Sequence, residues 1–215
     1  SAPLGGILPE EITYEAPKLE EANFAKAKNT KKGLTVDKKA AKDITAPFAH
    51  LHVHTQFTIL NATPDVKAIV KQATEFGMPA VAMTDTGNMM GAFKFVGEAL
   101  KAGIKPVVGC ELYIAQEWEK TKFTRDNPDR RFQQVLLAKN KEGYHKLAMM
   151  SSLANTKGLY GFYPRIGKEV VEQYKEHTIA LTGNLSGEVP NLILNVGERQ
   201  AENDYRWWHE SEGDG

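Results

Sequence analysis

The chain has 215 residues, of which 41% are hydrophobic and 25% charged, with 27 Lys and Arg set against 27 Asp and Glu. This is the composition of a globular protein with room for one sizeable core, and its balanced charge points to neither nucleic acid nor a membrane as partner, so function has to be read from sites. No apolar run approaches the roughly 20 residues of a membrane span and no signal peptide opens the chain, which makes the cytoplasm the expected location; the single cysteine, Cys110, excludes an internal disulfide or a cysteine-cluster zinc site and reads as a buried thiol within PVVGCELYI.

In chain order, residues 1–46 read as an amino-terminal extension or linker. From Ala16 to Ala46 they are rich in Lys, Ala and Glu with few large apolar residues, and KLEEANFAKAK offers only a thin helical stripe. The chain opens on Ser1 and closes on EGDG, which reads as a piece of a longer polypeptide. From Phe48 short apolar runs alternate with helical ones. FAHLHVHT is a predicted strand; PDVKAIVKQATEFG a helix with Val66, Ile69, Val70, Ala73 and Phe76 on one face and Gly77 as its stop; AVAMTD a second strand. GAFKFVGEALKAG follows as a helix on Ala92, Phe95, Val96, Ala99 and Leu100, then PVVGCELYIA as the third strand, QVLLAKN as the fourth after a charged loop, and TIALTGN as the fifth. Helices are expected over KEGYHKLAMMSSLAN, KEVVEQYKEH and ERQAENDYRWWHE. Such alternation implies an α/β fold with a parallel sheet, open or closed into a barrel, and chemistry at the carboxyl ends of its strands.

Those ends carry a polar set. Alternate residues of a strand point to one side, roughly 6.6 Å apart, so His52 and His54 of HLHVHT can converge on one ion, while His50 lies further back as a supporting or core residue. A lone HxH is more often an ordinary polar strand face. Asp85 and Thr86 end the second strand, Glu111 lies in the third and Asn184 follows the fifth. Glu111 and Asp85 suit a divalent metal beside two imidazoles, whereas Thr86, Gln133 and Asn184 are poor ligands. The methionine pairs at 89–90 and 149–150 and the Trp207–Trp208 pair read as packing, and Gly87, Gly109, Gly183 and Gly187 as turn and strand-end glycines.

HLHVHTQFTIL, AVAMTDTGNMMGAFKF, AGIKPVVGCELYIA, VLLAKNKEGYHKL and ALTGNLSGEVP, in this order, resemble the polymerase and histidinol phosphatase (PHP) domain of bacterial DNA polymerase III alpha subunits, with YKEHTIALTGNLSGEVP and LNVGERQAE nearest to the Bacteroidetes group. The resemblance implies a distorted (β/α)7 PHP barrel over residues 47–215, incomplete at its carboxyl end here. It also implies metal ligands at seven positions of this chain. His52, His54 and Glu111 match; Asn61, Thr86, Gln133 and Asn184 stand where a carboxylate, two imidazoles and a thiol would be. Asp85 matches the surrounding motif without being one of those ligands.

Every departure substitutes an uncharged, weak ligand, and a multi-metal hydrolase needs its cations to acidify the attacking water. The expected state is therefore a metal-free polar network among Thr86, Gln133, Asn184, His52, His54 and Glu111, in a structural platform for a replicative polymerase whose own active site lies outside this chain. The implied partners are the remaining domains of the subunit, a proofreading exonuclease that meets it or is fused upstream, and DNA through the full-length enzyme. The alternative is a PHP phosphoesterase or proofreading nuclease that retains one zinc or manganese ion on His52, His54 and Glu111. A further reading gives the loop with Lys120, Lys122, Arg125, Arg130 and Arg131 a direct contact to DNA phosphates; a solvated loop, with Asp126 and Asp129 interleaved, is the plainer one.

Overall fold

The computed structural model describes residues 48–212. The expected extension over residues 1–46 lies outside them.

The first helix, α1 (Val66–Glu75), follows its sequence signals. The Asp65 side chain accepts from the Ala68 N–H at 2.7 Å, Val66, Val70 and Ala73 are buried, and Gly77 takes a positive φ of 67° just past the end. Phe76 departs from the expected face: the helix stops at Glu75, and the ring turns outward, 67% exposed. Strand β1 (Ala80–Met83) leads into α2 (Ala92–Ala102), closed by left-handed Gly103; Phe95 is fully buried, a contribution on the order of 2–3 kcal/mol, while Leu100 faces solvent. These elements enclose one core of Val66, Val70, Val81, Phe95 and Ala99.

Strand β2 (Lys105–Ala115) is the longest strand. It pairs in parallel with β1 and antiparallel with β3 (Arg131–Ala138), which in turn runs antiparallel to β5 (Thr178–Leu181); the two-residue β4 (Arg165–Ile166) pairs in parallel with β2. The sheet is mixed, not parallel as expected, and among the described residues its strand order β1-β2-β3-β5 does not close on itself. The reversal has a local cause. A parallel return needs a long crossover, usually a helix, and residues 116–130 supply none, so β3 comes back beside β2. Helix α3 (Lys141–Thr156) is capped by Asn140 on the Gly143 N–H at 3.0 Å, and Gly143 admits no side chain because the His177 carbonyl occupies that space. With α4 (Lys168–Tyr174) it covers a second core of Leu112, Leu136, Leu147, Met150 and Val171.

Of the methionine pairs, Met90 and Met149 are exposed while Met150 is buried and Met89 packs against both cores; Trp208 is buried beside half-buried Trp207. After β5 come α5 (Glu188–Asn195), which the sequence reading left out, and α6 (Glu198–Glu212). A shared polar clamp ties these to α4: Lys168 Nζ reaches Glu188 at 2.9 Å and Asp204 at 2.6 Å, and the Trp208 indole N–H donates to Glu188 at 2.9 Å. No helix among the described residues is long and apolar enough to cross a membrane.

Candidate metal and polar cleft

The segment HLHVHT bends at Leu51 and His52 and is not a strand. Its backbone begins to pair with β1, Ala82 N–H donating to the His50 carbonyl and Thr84 N–H to that of Val53 at 2.8 Å. Side chains then take over the acceptor role: Val53 N–H donates to Thr84 Oγ1 at 2.9 Å and Thr55 N–H to Asp85 Oδ1 at 2.6 Å, which ends the ladder. Asp85, buried and fully used, accepts also from the hydroxyls of Thr55 and Thr58, each at 2.7 Å. It is thus the pin that sets the histidine segment against β1 and, contrary to the first expectation from the strand ends, no member of the candidate ligand group. His50 is neither support nor core, being exposed with its ring packed edge-on against Phe48.

His52, His54 and Glu111 do converge. Their candidate donor atoms lie within 4.8 Å of one another, with His52 Nε2 hydrogen-bonded to Glu111 Oε2 at 2.8 Å and His54 Nε2 at 3.3 Å from the same oxygen. The other carboxylate oxygen accepts from the Thr86 hydroxyl at 2.9 Å. Thr86 is held by β-type pairing with Glu111 and is followed by Gly87, whose positive φ of 71° and closeness to Pro164 leave no room for a Cβ. The short contact with Glu111 raises the His54 pKa above the ordinary histidine value; burial opposes the rise, and the negative charges of Glu111 and Asp85 add to it. Burial alone would raise Glu111, yet the bonds to His52 and Thr86 and the contact with His54 and its charge together lower it to about 2. Cys110, behind it and fully buried, has its pKa raised by burial and is an inert thiol.

Two imidazoles and a carboxylate are a donor set that suits one divalent ion. The buried His54 Nε2, which has no hydrogen-bond partner of good geometry, is consistent with that use. Among the described residues the set does not extend to a larger cluster of such donors. Asn61 is exposed, on a turn that holds Leu60 at a φ of 72°, a conformation that costs an L-residue about 1–2 kcal/mol. It shares a cleft of about 460 Å³ with Thr86, Tyr113 and the exposed side chains of Ile59, Leu60 and Phe162.

Gln133 is the third residue of β3 and, because that strand is antiparallel, stands opposite Tyr113 near the end of β2. Its side-chain carbonyl accepts from Asn184 Nδ2 at 3.1 Å, and its amide reaches only the Tyr113 hydroxyl at 3.5 Å. Hydrogen bonds among these groups form two separate pieces, Thr86 with the charged cluster and Gln133 with Asn184, and no direct hydrogen bond joins the two among the described residues.

The charged loop is organised by a residue the sequence reading missed. Arg165 is completely buried in β4, donating to Asp129 at 2.8 Å, to the Lys120 carbonyl at 2.6 Å and to the Gly158 carbonyl at 3.0 Å. Arg131 pairs with the same Asp129 and lies over the Tyr163 ring at 3.4 Å, so its guanidinium is committed within the protein; Lys120 pairs with Glu117. Lys122, Arg125 and Arg130 are exposed and make no ion pair among the described residues. The only sequence signal for Arg165 was a lone cation in the apolar stretch YPRIG.

Residues 50–215 match the PHP domain family. The DNA polymerase III subunit alpha of Chlamydia pneumoniae is 41% identical over 150 residues, covering 69% of this chain and 12% of the relative. That of Borreliella burgdorferi is 37% identical over 161 residues, 75% of this chain and 14% of the relative, and that of Aquifex aeolicus 41% over 157 residues, 70% and 13%. The chain therefore spans only a small part of the length of these relatives. The family match runs through the histidine segment, Glu111 and every strand of the sheet, and this chain belongs to the PHP domain family.

Proposed function

We propose that this chain is the PHP region of a bacterial replicative polymerase, a DNA polymerase III alpha subunit, acting as a non-hydrolytic platform for the subunit's other domains. The observation that carries the non-hydrolytic part is the chemistry of three of the expected ligand positions: Asn61, Gln133 and Asn184 offer neutral groups, two of them already bonded to each other, where a multi-ion centre needs carboxylates, imidazoles or thiolates. In place of a cluster, His52, His54 and the Thr86 hydroxyl stand against the buried Glu111 carboxylate at 2.8, 3.3 and 2.9 Å. Similarity to alpha subunits supports the polymerase context, with catalysis of nucleotide addition in parts of the protein beyond this chain and a cytoplasmic place of work. Contact with a proofreading exonuclease, or fusion to one through residues 1–46, belongs to the same reading.

The second reading, a phosphoesterase or nuclease with one retained ion, is favoured by a single observation, the buried His54 Nε2, which lies 3.3 Å from Glu111 without a well-aligned hydrogen bond. Metal analysis by mass spectrometry on protein purified without chelator, together with turnover of a chromogenic phosphate ester, separates the two. The platform reading expects no turnover and less than one ion per chain; stoichiometric zinc or manganese with turnover abolished by His52→Ala would overturn it.

A further inference from the structure

The outer face of the sheet carries a groove that shares no residue with the cleft. Its volume is about 530 Å³, and it runs between α2 and the amino end of α3 over the start of β2. The two helices leave Val96, Pro106 and Val108 only half-buried on its floor, and its sides include Phe93, 95% exposed, and Tyr144. A phenylalanine almost wholly in water beside an uncovered aliphatic floor is apolar surface that a partner can remove from solvent.

The charges along this groove have one sign. Lys139 and Lys141 line it, are exposed and form no ion pair among the described residues; Lys94, next to Phe93 on α2, is also exposed and unpaired. No acidic side chain lines the groove, Glu142 in the first turn of α3 included. The positive end of the 16-residue α3 dipole lies at the same place, its first turn capped by Asn140.

We propose that this groove docks an acidic linear segment of a partner protein, with an aromatic or branched aliphatic side chain seated beside Phe93 on Val96 and Val108 and flanking carboxylates facing Lys139 and Lys141. The apolar anchor supplies affinity and the lysines supply orientation and a salt-dependent encounter rate. A peptide fits better than a nucleic-acid strand. The floor is aliphatic where stacked bases need aromatic faces, and two lining cations are few for tracking a phosphate backbone.

The test is selection of a displayed library of random 12-residue peptides on the full chain, with binding of recovered peptides measured by fluorescence anisotropy. Recovered sequences are expected to place Asp or Glu within a few positions of Phe, Trp, Leu or Ile. Binding is expected to weaken at least tenfold with Phe93→Ala, tenfold with Lys139→Glu and Lys141→Glu together, and severalfold between low and physiological salt. Phe93 is exposed, so an unchanged thermal midpoint and circular dichroism establish that these variants stay folded. Three results would overturn the proposal: no enrichment, enriched peptides that bind the variants as well as the parent chain, or a twelve-residue oligothymidylate that binds more tightly than the peptides and is lost with the same variants.

Discussion

Two polar walls of the molecule are held in different ways. The wall built from the histidine segment, β1 and β2 is dense. Asp85 takes three hydrogen bonds out of solvent, and Glu111 faces two imidazoles and a hydroxyl. The wall carrying Gln133 and Asn184 is neutral and open, with one direct side-chain bond between them and Asn184 exposed. Where charged groups remain, the fold surrounds them, because a buried carboxylate without donors is costly. Where neutral groups have taken their place, nothing obliges the chain to close over them.

The sharpest way to break this comparison is Asp85→Ala. It leaves the Thr55 N–H and two buried threonine hydroxyls without their acceptor, and a loss of about 3 kcal/mol or more is expected in urea unfolding. A loss under about 1 kcal/mol would mean that Asp85 is not the pin. Glu111→Gln comes next, costing about 1–2 kcal/mol while keeping a partner for Thr86. It should also bring the His54 pKa back down toward the ordinary value of 6.5, which an NMR titration of the imidazole resonances reads directly.

Acid sharpens the same contrast. Glu111 titrates at about 2 when folded against an ordinary 4.5, so its stabilisation is complete above about pH 4.5 and is lost as pH falls toward 2. His54 has the opposite sign: its raised pKa stabilises the fold below about 6.5, and that share is lost as pH rises through the folded value. Urea midpoints followed over pH should show both slopes in the parent chain, with the Glu111 slope lost and the His54 slope changed in Glu111→Gln, where burial and the charge of Asp85 still act on His54. The smallest effect belongs to the open wall. Gln133→Ala and Asn184→Ala should each lie within about 0.5 kcal/mol of the parent, and a double-mutant coupling above about 1 kcal/mol would show that wall to be as tightly built as the other.

Much of the architecture was legible because its signals are local. Asp65 and Gly77 bracket α1, Gly103 ends α2, and apolar spacing located α2, α3 and the core strands. His52, His54 and Glu111 were recognisable together because ligand-type side chains at successive strand ends are rare and chemically specific. The histidine segment shows the limit. Its alternation reads as a strand, but Thr84 and Asp85, some thirty residues later, intercept its backbone donors. Thr55 and Thr58 gave no sign of their role, since a threonine beside a glutamine and a phenylalanine looks like any other until the carboxylate it faces is known.

The sequence by itself determined most of the helices, the core strands, the family and the chemical identity of each group at the expected ligand positions, because these depend on residue type and near-neighbour spacing. Only the tertiary structure decided that β3 runs antiparallel and so sets Gln133 opposite Tyr113, that Asp85 is a structural pin, that Arg165 anchors the charged loop on Asp129, and that an apolar groove lined by Lys139 and Lys141, which form no ion pair among the described residues, lies over the start of β2. Those outcomes depend on which distant groups satisfy a buried charge or an unpaired backbone donor, and that pairing is settled only when the whole chain has packed.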